Sequence, residues 1–150
     1  MEKEKTITTN KKAYHDYFVD DSYECGIQLV GSEVKSLRTG EANLKDSYAQ
    51  IKNGEVFLIN AYIAPYTKGS YFNKSPRRDR KLLLHKAEIK KLHTKVTQKG
   101  ITLIPLRLYF KGSLVKVELG LCRGKHTYDK REALKQKDIK KAVDRQSNEY

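Results

Sequence analysis

Residues 48–62 read YAQIKNGEVFLINAY and carry the strongest structural signal in the chain. Runs of β-branched and aromatic residues stand on both sides of Asn53-Gly54. Asparagine and glycine tolerate the positive φ angles that both central residues of a type I′ turn require, and this turn joins two antiparallel strands. The stretch therefore predicts a tight antiparallel hairpin.

On the C-terminal side of this hairpin, the pattern predicts one short strand, one helix and two longer strands. Leu82, Leu83 and Leu84 form a short apolar run. Between His85 and Lys99, apolar side chains recur at helical spacing and Gly100 follows as a stop signal. Residues 101–110 and 114–121 are β-rich, and the proline inside the first run, Pro105, indicates a sheet edge or a bulge.

On the N-terminal side, residues 1–12 are polar without periodicity, so we expect them to be mobile. Residues 14–19 and 23–30 are predicted strands, and the polar cluster at residues 20–22 between them predicts a turn. A short helix over residues 33–39 is expected next, with Ser32 as its N-cap and Gly40 at its end.

This order of elements defines the predicted fold class. Five to seven short antiparallel strands, two or three flanking helices and no βαβ alternation favour a mainly β fold. The best match is a small closed antiparallel barrel of the oligonucleotide-binding type. We assign residues 1–122 to this barrel domain. Residues 123–150 have few apolar side chains, and we expect a basic C-terminal tail that is disordered until bound.

The charge points to a polyanionic partner. The chain of 150 residues has 31 Lys and Arg against 18 Asp and Glu, a formal net charge of +13. The excess is uneven, because residues 1–60 carry 8 basic and 10 acidic side chains, whereas residues 61–150 carry 23 and 8. Such asymmetry is typical of nucleic-acid-binding proteins.

Several other classes are excluded or disfavoured. No apolar run approaches the roughly 18 residues that a membrane span needs, and the N-terminus lacks the apolar core of an export signal. We therefore expect a cytoplasmic protein with no membrane partner. In that reducing compartment, Cys25 and Cys122 are interpreted as buried small hydrophobic residues.

Nothing in the residue pattern supports catalysis, a metal or a cofactor. His15-Asp16 has no nucleophile at a catalytic spacing, and on a strand the two side chains point to opposite faces. His85 and His93 are too far apart on one helix to share a metal ion. The chain also lacks nucleotide-binding glycine motifs. We therefore predict that it is not an enzyme.

Binding chemistry fits the composition better, because ten Tyr and four Phe accompany the basic side chains. Aromatic rings stack on unpaired bases while lysine and arginine neutralise phosphates. Four of the rings are expected to be structural: Phe18, Phe57, Tyr109 and Phe110. Tyr128 lies among charged residues with no apolar neighbour, so we predict that it stacks on a base. An RNA-delivery adaptor for the ribosome and an ordinary ribosomal or general RNA-binding barrel both remain possible.

Eight short motifs in order give the chain a family resemblance. They are NKKA followed by HDYF (residues 10–18), YECGI (23–27), EVKSLR (33–38), ANLKDSYA (42–49), NGE (53–55), RKLLLHK (80–86), PL with LY (105–109), and GK followed by YDKR (124–131). With these motifs the chain resembles the bacterial SsrA-binding (small protein B) family, the partners of transfer-messenger RNA.

The resemblance implies a non-catalytic RNA-binding adaptor. The family binds the tRNA-like part of transfer-messenger RNA, and the barrel stands in for the missing anticodon arm. The family brings this RNA to stalled ribosomes for trans-translation, the rescue that tags the unfinished chain. The tail enters the empty messenger channel and helps the small-subunit decoding site accept the RNA. Delivery runs through the elongation factor Tu complex.

The resemblance also implies site residues. The family's RNA-contact positions map onto Asn10, Lys11, Glu24, Leu83 and His85. Asn10 and Lys11 suit contacts to phosphate and base edges, Glu24 can accept hydrogen bonds from a purine edge, and His85 offers a donor and a stacking face. The decoding-site segment maps onto Lys125, Tyr128, Asp129, Lys130 and Arg131.

Overall fold

The structure, a computed structural model, describes residues 3–66, 75–98 and 100–125. Within these ranges the elements follow in the order β1 (Glu4–Thr9), α1 (Lys11–Asp16), β2 (Tyr17–Ile27), α2 (Gly31–Arg38), β3 (Ala42–Asn43), β4 (Tyr48–Lys52), β5 (Glu55–Ile59), β6 (Tyr62–Ile63), β7 (Arg80–Leu83), α3 (Lys86–Val96), β8 (Ile101–Lys111) and β9 (Leu114–Gly124).

The predicted central hairpin is confirmed. Strands β4 and β5 pair antiparallel from Tyr48 opposite Ile59 to Lys52 opposite Glu55. The two turn residues have positive φ, 52° at Asn53 and 76° at Gly54. This combination is the type I′ geometry that the Asn-Gly pair favours, so local turn chemistry alone sets the register of this part of the sheet.

Six of the described strands close into a ring in which every pairing is antiparallel, and β3 and β6 form a separate two-stranded sheet. Around the ring, β8 pairs with β4, β4 with β5, β5 with β7, β7 with β2, β2 with β9, and β9 returns to β8. The first strand, β1, adds to the C-terminal half of β8. The long strands bend at irregularities in their pairing, one in β2 between Val19 and Asp21 and one in β8 between Pro105 and Arg107. Such bulges let a sheet curve enough to close, and the bulge after Pro105 agrees with the prediction.

The core fills the inside of this ring. Leucines 58, 82, 103, 108 and 119 are at most 2% exposed, and Cys25 and Val117 are fully buried beside them. Leu37 from α2 and Leu92 from α3 are buried in the same cluster, so both helices complete the core. The expected barrel with flanking helices is therefore confirmed, with three helices in the described ranges.

The N-terminal prediction was wrong in two places. Residues 4–9 form strand β1 and are not left unpaired. Helix α1 covers residues 11–16, so residues 14–16 are helical where the start of a strand was expected. The reason is tertiary. The small side chain of Ala13 is 2% exposed, because it packs with Ile104, Leu106 and Cys122 in a second core cluster on the outside of the ring.

The predicted turn at residues 20–22 was also wrong. Strand β2 runs without interruption through these residues, and the polar cluster coincides with the bulge. Asp20 is held there by Arg123 on the neighbouring strand, with Nε 2.8 Å and Nη2 3.1 Å from its carboxylate oxygens. A local polar cluster can mark a bulge as readily as a turn, and strand pairing decides between them.

The two later helices agree with the sequence pattern. The helix predicted over residues 33–39 is α2, which starts two residues earlier. Its N-cap is Val30, so the prediction of Ser32 as the N-cap was wrong, and Ser32 lies inside the helix. The apolar stripe of α3 packs on the core through Ile89, Leu92 and Val96. None of the described helices could span a lipid bilayer.

Strand β9 continues through Arg123 and Gly124, two residues beyond the predicted end of the barrel. The division into a barrel and a tail therefore stays a prediction, with its boundary moved toward Lys125. Of the predicted tail contacts, Tyr128, Asp129, Lys130 and Arg131 lie outside the described residues.

Candidate nucleic-acid interface

Glu24 lies near the middle of β2 on the outside of the barrel. Its neighbour Cys25 points into the core, and side chains alternate along a strand, so Glu24 faces outward with 38% of its side chain exposed. The Tyr109 hydroxyl donates a hydrogen bond of 2.5 Å to Glu24 Oε2, and Lys111 Nζ lies 3.2 and 3.3 Å from the two carboxylate oxygens.

These contacts set the charge state of Glu24. The hydrogen bond from Tyr109, assisted by Lys111, holds the pKa of the Glu24 carboxyl below its ordinary value. Burial, followed by the hydrogen bond to Glu24, raises the pKa of Tyr109. Near neutral pH the pair is thus a neutral phenol donor and an ionised carboxylate, whose free lone pairs can accept hydrogen bonds.

Strand register extends this surface on both sides of Glu24. Gly26 lies opposite Leu83 on β7 and opposite Lys116 on β9, and Glu24 lies opposite Glu118. Directly opposed residues in an antiparallel pair project from the same face. We call this surface the outer wall and define it by Glu24, Gly26, Leu83, Tyr109 and Lys116.

Leu83 is an exposed apolar residue on this wall, with 45% of its surface accessible. It packs over Gly26, where an added Cβ would lie 3.2 Å from the Leu83 Cβ. The absence of a side chain at position 26 thus leaves room for the leucine. His85 follows two residues later as the exposed N-cap of α3, and its backbone N–H donates to Glu88 Oε1 at 3.1 Å. Three predicted RNA contacts, Glu24, Leu83 and His85, therefore belong to one continuous part of the surface.

Asn10 lies elsewhere and has a structural role in this geometry. It is 6% exposed, and its amide nitrogen donates to Pro105 O at 3.0 Å and to Leu44 O at 3.3 Å. Its side-chain oxygen accepts from the Ala13 N–H at 3.2 Å and caps α1. The side chain therefore has no free donor for RNA, and it acts by fixing the start of α1, where the exposed Lys11 projects.

Lys125 is the last described residue and the only described member of the predicted tail contacts. Its Nζ donates to the backbone oxygen of Tyr14 at 3.2 Å and lies 5.3 Å from the centroid of the Phe18 ring. The side chain therefore lies against α1 and the start of β2.

The sequence pattern did not predict a buried charge cluster that Glu33, Arg78 and Arg80 form. Arg80 is fully buried, and its Nε donates to Glu33 Oε2 at 2.7 Å. Arg78 Nη2 donates to Glu33 Oε1 at 2.7 Å, and the Val30 N–H donates to the same oxygen at 3.0 Å. Burial alone raises the pKa of the Glu33 carboxyl, but the hydrogen bonds from Arg78, Val30 and Arg80 outweigh it and hold the pKa below its ordinary value.

The other guanidinium nitrogens of Arg80 also bind carbonyl oxygens of the chain around it, and Nη2 lies 2.6 Å from Glu33 Oε2 as well. Nη1 donates to Ala61 O at 2.8 Å and Nη2 to Pro76 O at 3.0 Å. The cluster therefore joins α2 to the segment that enters β7, the strand that carries Leu83. It positions the interface without belonging to it.

The described residues offer little for catalysis or metal binding. They contain no group of three or more metal-ligating side chains. Both cysteines are fully buried, and burial raises the pKa of each thiol to about 12, so both stay protonated. His15 Nδ1 lies 2.9 Å from Asp16 Oδ1, and both side chains are on helix α1. The prediction that this pair lies on a strand with its side chains on opposite faces was wrong.

Pattern reasoning missed Tyr109 and Lys111 as partners of Glu24. Tyr109 was expected to be structural, and at 2% exposure it is buried, yet its hydroxyl contacts the interface residue. Tyr109 and Glu24 are 85 positions apart in sequence. Strand alternation from Leu108, an apolar core residue, places Tyr109 outward, and this was the available signal.

The fold and this surface define a class: a small closed β-barrel protein whose outer wall presents hydrogen-bond acceptors, an apolar side chain and cations together. The family model for SmpB protein matches residues 7–149. The chain belongs to the SmpB protein family.

Similar proteins agree with this family. An SsrA-binding protein of Clostridium botulinum is 58% identical over 144 residues, 96% of this chain and 92% of that protein. One of Clostridium acetobutylicum is 56% identical over 140 residues, 93% of this chain and 90% of that protein. A solved structure described as "tmRNA-SmpB: a journey to the center of the bacterial ribosome" has a chain with TM-score 0.71 and 51% identity. That match covers 95% of this chain and 98% of the other.

Proposed function

We propose that this protein is a non-catalytic adaptor that binds the tRNA-like part of transfer-messenger RNA and brings it to stalled ribosomes. One observation carries the proposal. Over 95% of its length, the chain shares its fold and 51% of its residues with a chain from a solved structure described as tmRNA-SmpB in the bacterial ribosome. The proposal places the protein in the cytoplasm. It includes delivery with the elongation factor Tu complex and needs no cofactor.

The outer wall is the proposed surface for the tRNA-like part. An ionised carboxylate repels phosphate, so Glu24 contributes only by accepting hydrogen bonds from donors on a base or on a 2′-hydroxyl. Leu83 supplies an apolar contact beside it, and His85 supplies a ring that can stack. Lys11 contacts phosphate from the start of α1. Shape and hydrogen bonding at this wall give selectivity, while the net charge of +13 gives general attraction to RNA.

The residues after the barrel are proposed to act on the ribosome. Lys125, Tyr128, Asp129, Lys130 and Arg131 would enter the messenger channel and contact the small-subunit decoding site. Because these contacts are made to the ribosome, they add little to the affinity for free transfer-messenger RNA. RNA binding and ribosome function are therefore separable by substitution.

The experiment compares two sets of variants in the full chain. Glu24→Ala is expected to weaken binding to the tRNA-like RNA about tenfold, in a filter-binding assay at physiological salt. Tyr128→Ala and the triple change Asp129, Lys130, Arg131→Ala are expected to bind this RNA within about twofold of wild type. All three variants should fail to support tagging on a message that lacks a stop codon.

Controls separate the proposal from a general RNA-binding barrel. An unrelated transfer RNA of similar length should compete at least tenfold less well than the tRNA-like RNA, whereas a general RNA-binding protein would accept both equally. Normal tagging by both tail variants would refute the role given to the tail. Unchanged or tighter specific binding by Glu24→Ala would refute the role given to the outer wall.

A further inference from the structure

A pocket of about 490 Å³ lies at the turn between β8 and β9, away from the outer wall. Its polar lining comes from the start of β1, the last residue of α2 and the turn itself. We call it the hairpin-end pocket and define it by Lys3, Lys5, Arg38, Phe110 and Gly112. The Gly112 N–H donates to Lys3 O at 3.1 Å and ties β1 to the turn.

Strand alternation places this pocket on the opposite side of the sheet from Glu24. Tyr109 and Phe110 are neighbours on β8 and therefore point to opposite faces. Tyr109 contacts Glu24 on the outer wall, whereas Phe110 is half-buried and packs against the barrel core. Lys5 lies directly opposite Phe110 in the β1–β8 pairing, so its side chain shares the Phe110 face.

The cations of the pocket contrast with two cations that lie near Glu24. Lys111 pairs with Glu24, and Arg107 pairs with Glu4 and Glu118, although Lys116 on the outer wall is also in no ion pair with a described residue. Lys3, Lys5 and Arg38 form no ion pair with any residue that the structure describes.

The acid that reaches the pocket does not neutralise these cations. Glu4 also lines it, but the Glu4 carboxylate accepts from Arg107 Nη2 at 2.8 Å, toward the other face. Three basic residues therefore line the same pocket as Phe110, and the one acid that lines it, Glu4, is paired with Arg107. Cations beside an aromatic side chain are typical of sites that bind single-stranded nucleic acid, because the cations bind phosphates and a base stacks on the ring.

We propose that the hairpin-end pocket is a second RNA-binding site, which takes a nucleotide of a single-stranded RNA segment. Its base stacks on Phe110, and Lys3, Lys5 and Arg38 hold the flanking phosphates. The pocket volume accommodates one nucleotide but not a duplex, whose bases already stack on each other. The site is separate from the proposed outer-wall interface, so the protein can hold a folded RNA on one side and an unpaired strand on the other.

The test uses the full chain and a fluorescein-labelled six-nucleotide uridine RNA, with binding followed by anisotropy at 100 mM salt. The triple change Lys3, Lys5, Arg38→Ala is expected to weaken binding at least tenfold. The matched control is Lys45, Lys52, Lys90→Ala, which removes the same charge from three exposed positions on other parts of the surface and should weaken binding less than threefold. Equal losses in the two triple variants would overturn the proposal, since attraction would then be general.

Three further measurements test the stacked nucleotide. Phe110→Leu keeps an apolar side chain against the core and should weaken binding of the same RNA about fivefold. An unchanged affinity would refute the stacking contact. Since this change can lower stability, the wild-type protein is also cross-linked to the hexanucleotide carrying 5-iodouridine. The cross-link is expected within β8, and one confined to His85 or α3 would overturn the assignment. A 12-base-pair RNA duplex that competed as well as the single strand would also overturn it.

Discussion

Glu33 and Glu24 are both glutamates held by cationic side chains, yet they lie in opposite environments. The Glu33 side chain is 6% exposed, and two arginines and a backbone N–H surround its carboxylate. The Glu24 side chain is 38% exposed, and its partners are a phenol and a lysine. The first carboxylate has its acceptor positions filled inside the protein, whereas the second keeps positions open to solvent. Burial, more than residue type, thus separates a structural charge from an available one.

The energetic consequences of the two clusters differ for the same reason. A charge taken out of water is stable only while its partner remains, so removal of one member of a buried pair is costly. An exposed pair is screened and loses little when one member is removed. The buried cluster should therefore respond through the stability of the fold, and the outer wall through RNA binding.

The largest effect is expected from Arg80→Met. It leaves Glu33 without its buried partner and should reduce the free energy of unfolding by about 3–5 kcal/mol, measured by urea denaturation. The double variant Arg80→Met with Glu33→Gln removes both charges and should recover a substantial part of that loss. If the double variant were as unstable as the single one, packing around Arg80 and not charge would explain the effect.

A matched pair of substitutions sharpens the comparison. Glu24→Gln should change the unfolding free energy by less than about 1 kcal/mol, but weaken binding of the tRNA-like RNA by up to about tenfold, because a neutral amide is a weaker acceptor. Glu33→Gln should instead destabilise the fold through an uncompensated Arg80. Urea denaturation and filter binding on both variants measure the two effects. If Glu24→Gln lowered the unfolding free energy as much as Glu33→Gln does, Glu24 would also be a structural charge.

Tyr109→Phe tests what keeps Glu24 ionised. The variant loses the hydroxyl that is the main cause of the lowered Glu24 pKa, so this pKa should rise toward its ordinary value. Because the folded-state pKa is depressed, the ionised form stabilises the wild type above the unfolded pKa, and this contribution is lost as pH falls through the folded pKa. In the variant this contribution should be smaller, and its loss should be complete at a higher pH. A carbon-13 titration of the Glu24 carboxyl measures the midpoint, and an unmoved midpoint contradicts the assignment.

The smallest effect is expected from Lys111→Ala. Lys111 is a partly exposed partner of Glu24 at 3.2 Å, and such pairs contribute about 0–1 kcal/mol to stability. The unfolding free energy should stay within that range, measured under the same denaturant conditions as for Arg80→Met. A loss comparable to that of Arg80→Met would show that the outer wall is as tightly coupled to the fold as the buried cluster.

The sequence predicted several residues of the candidate interface, but not the hydrogen-bond partners that set their chemistry. The family motifs pointed to Glu24, Leu83 and His85, and the structure brings them onto one surface through the pairing of β2 with β7. Asn10 is predicted to contact RNA, and the structure gives its side chain buried partners at Leu44 and Pro105. An asparagine beside lysines has the same local pattern in either role, so only the fold around it distinguishes them.

The sequence by itself determined the elements whose signals are local. Asn53-Gly54 specified the central turn, the stripe of Ile89, Leu92 and Val96 specified α3, and Pro105 marked the bulge, because turn geometry and side-chain periodicity act over a few residues. Only the tertiary structure decided that β1 joins β8, that α1 is a helix over the second cluster, and that Arg80 pairs with Glu33 across 47 positions. Those outcomes depend on partners far away in sequence, whose contacts exist only once the barrel has closed.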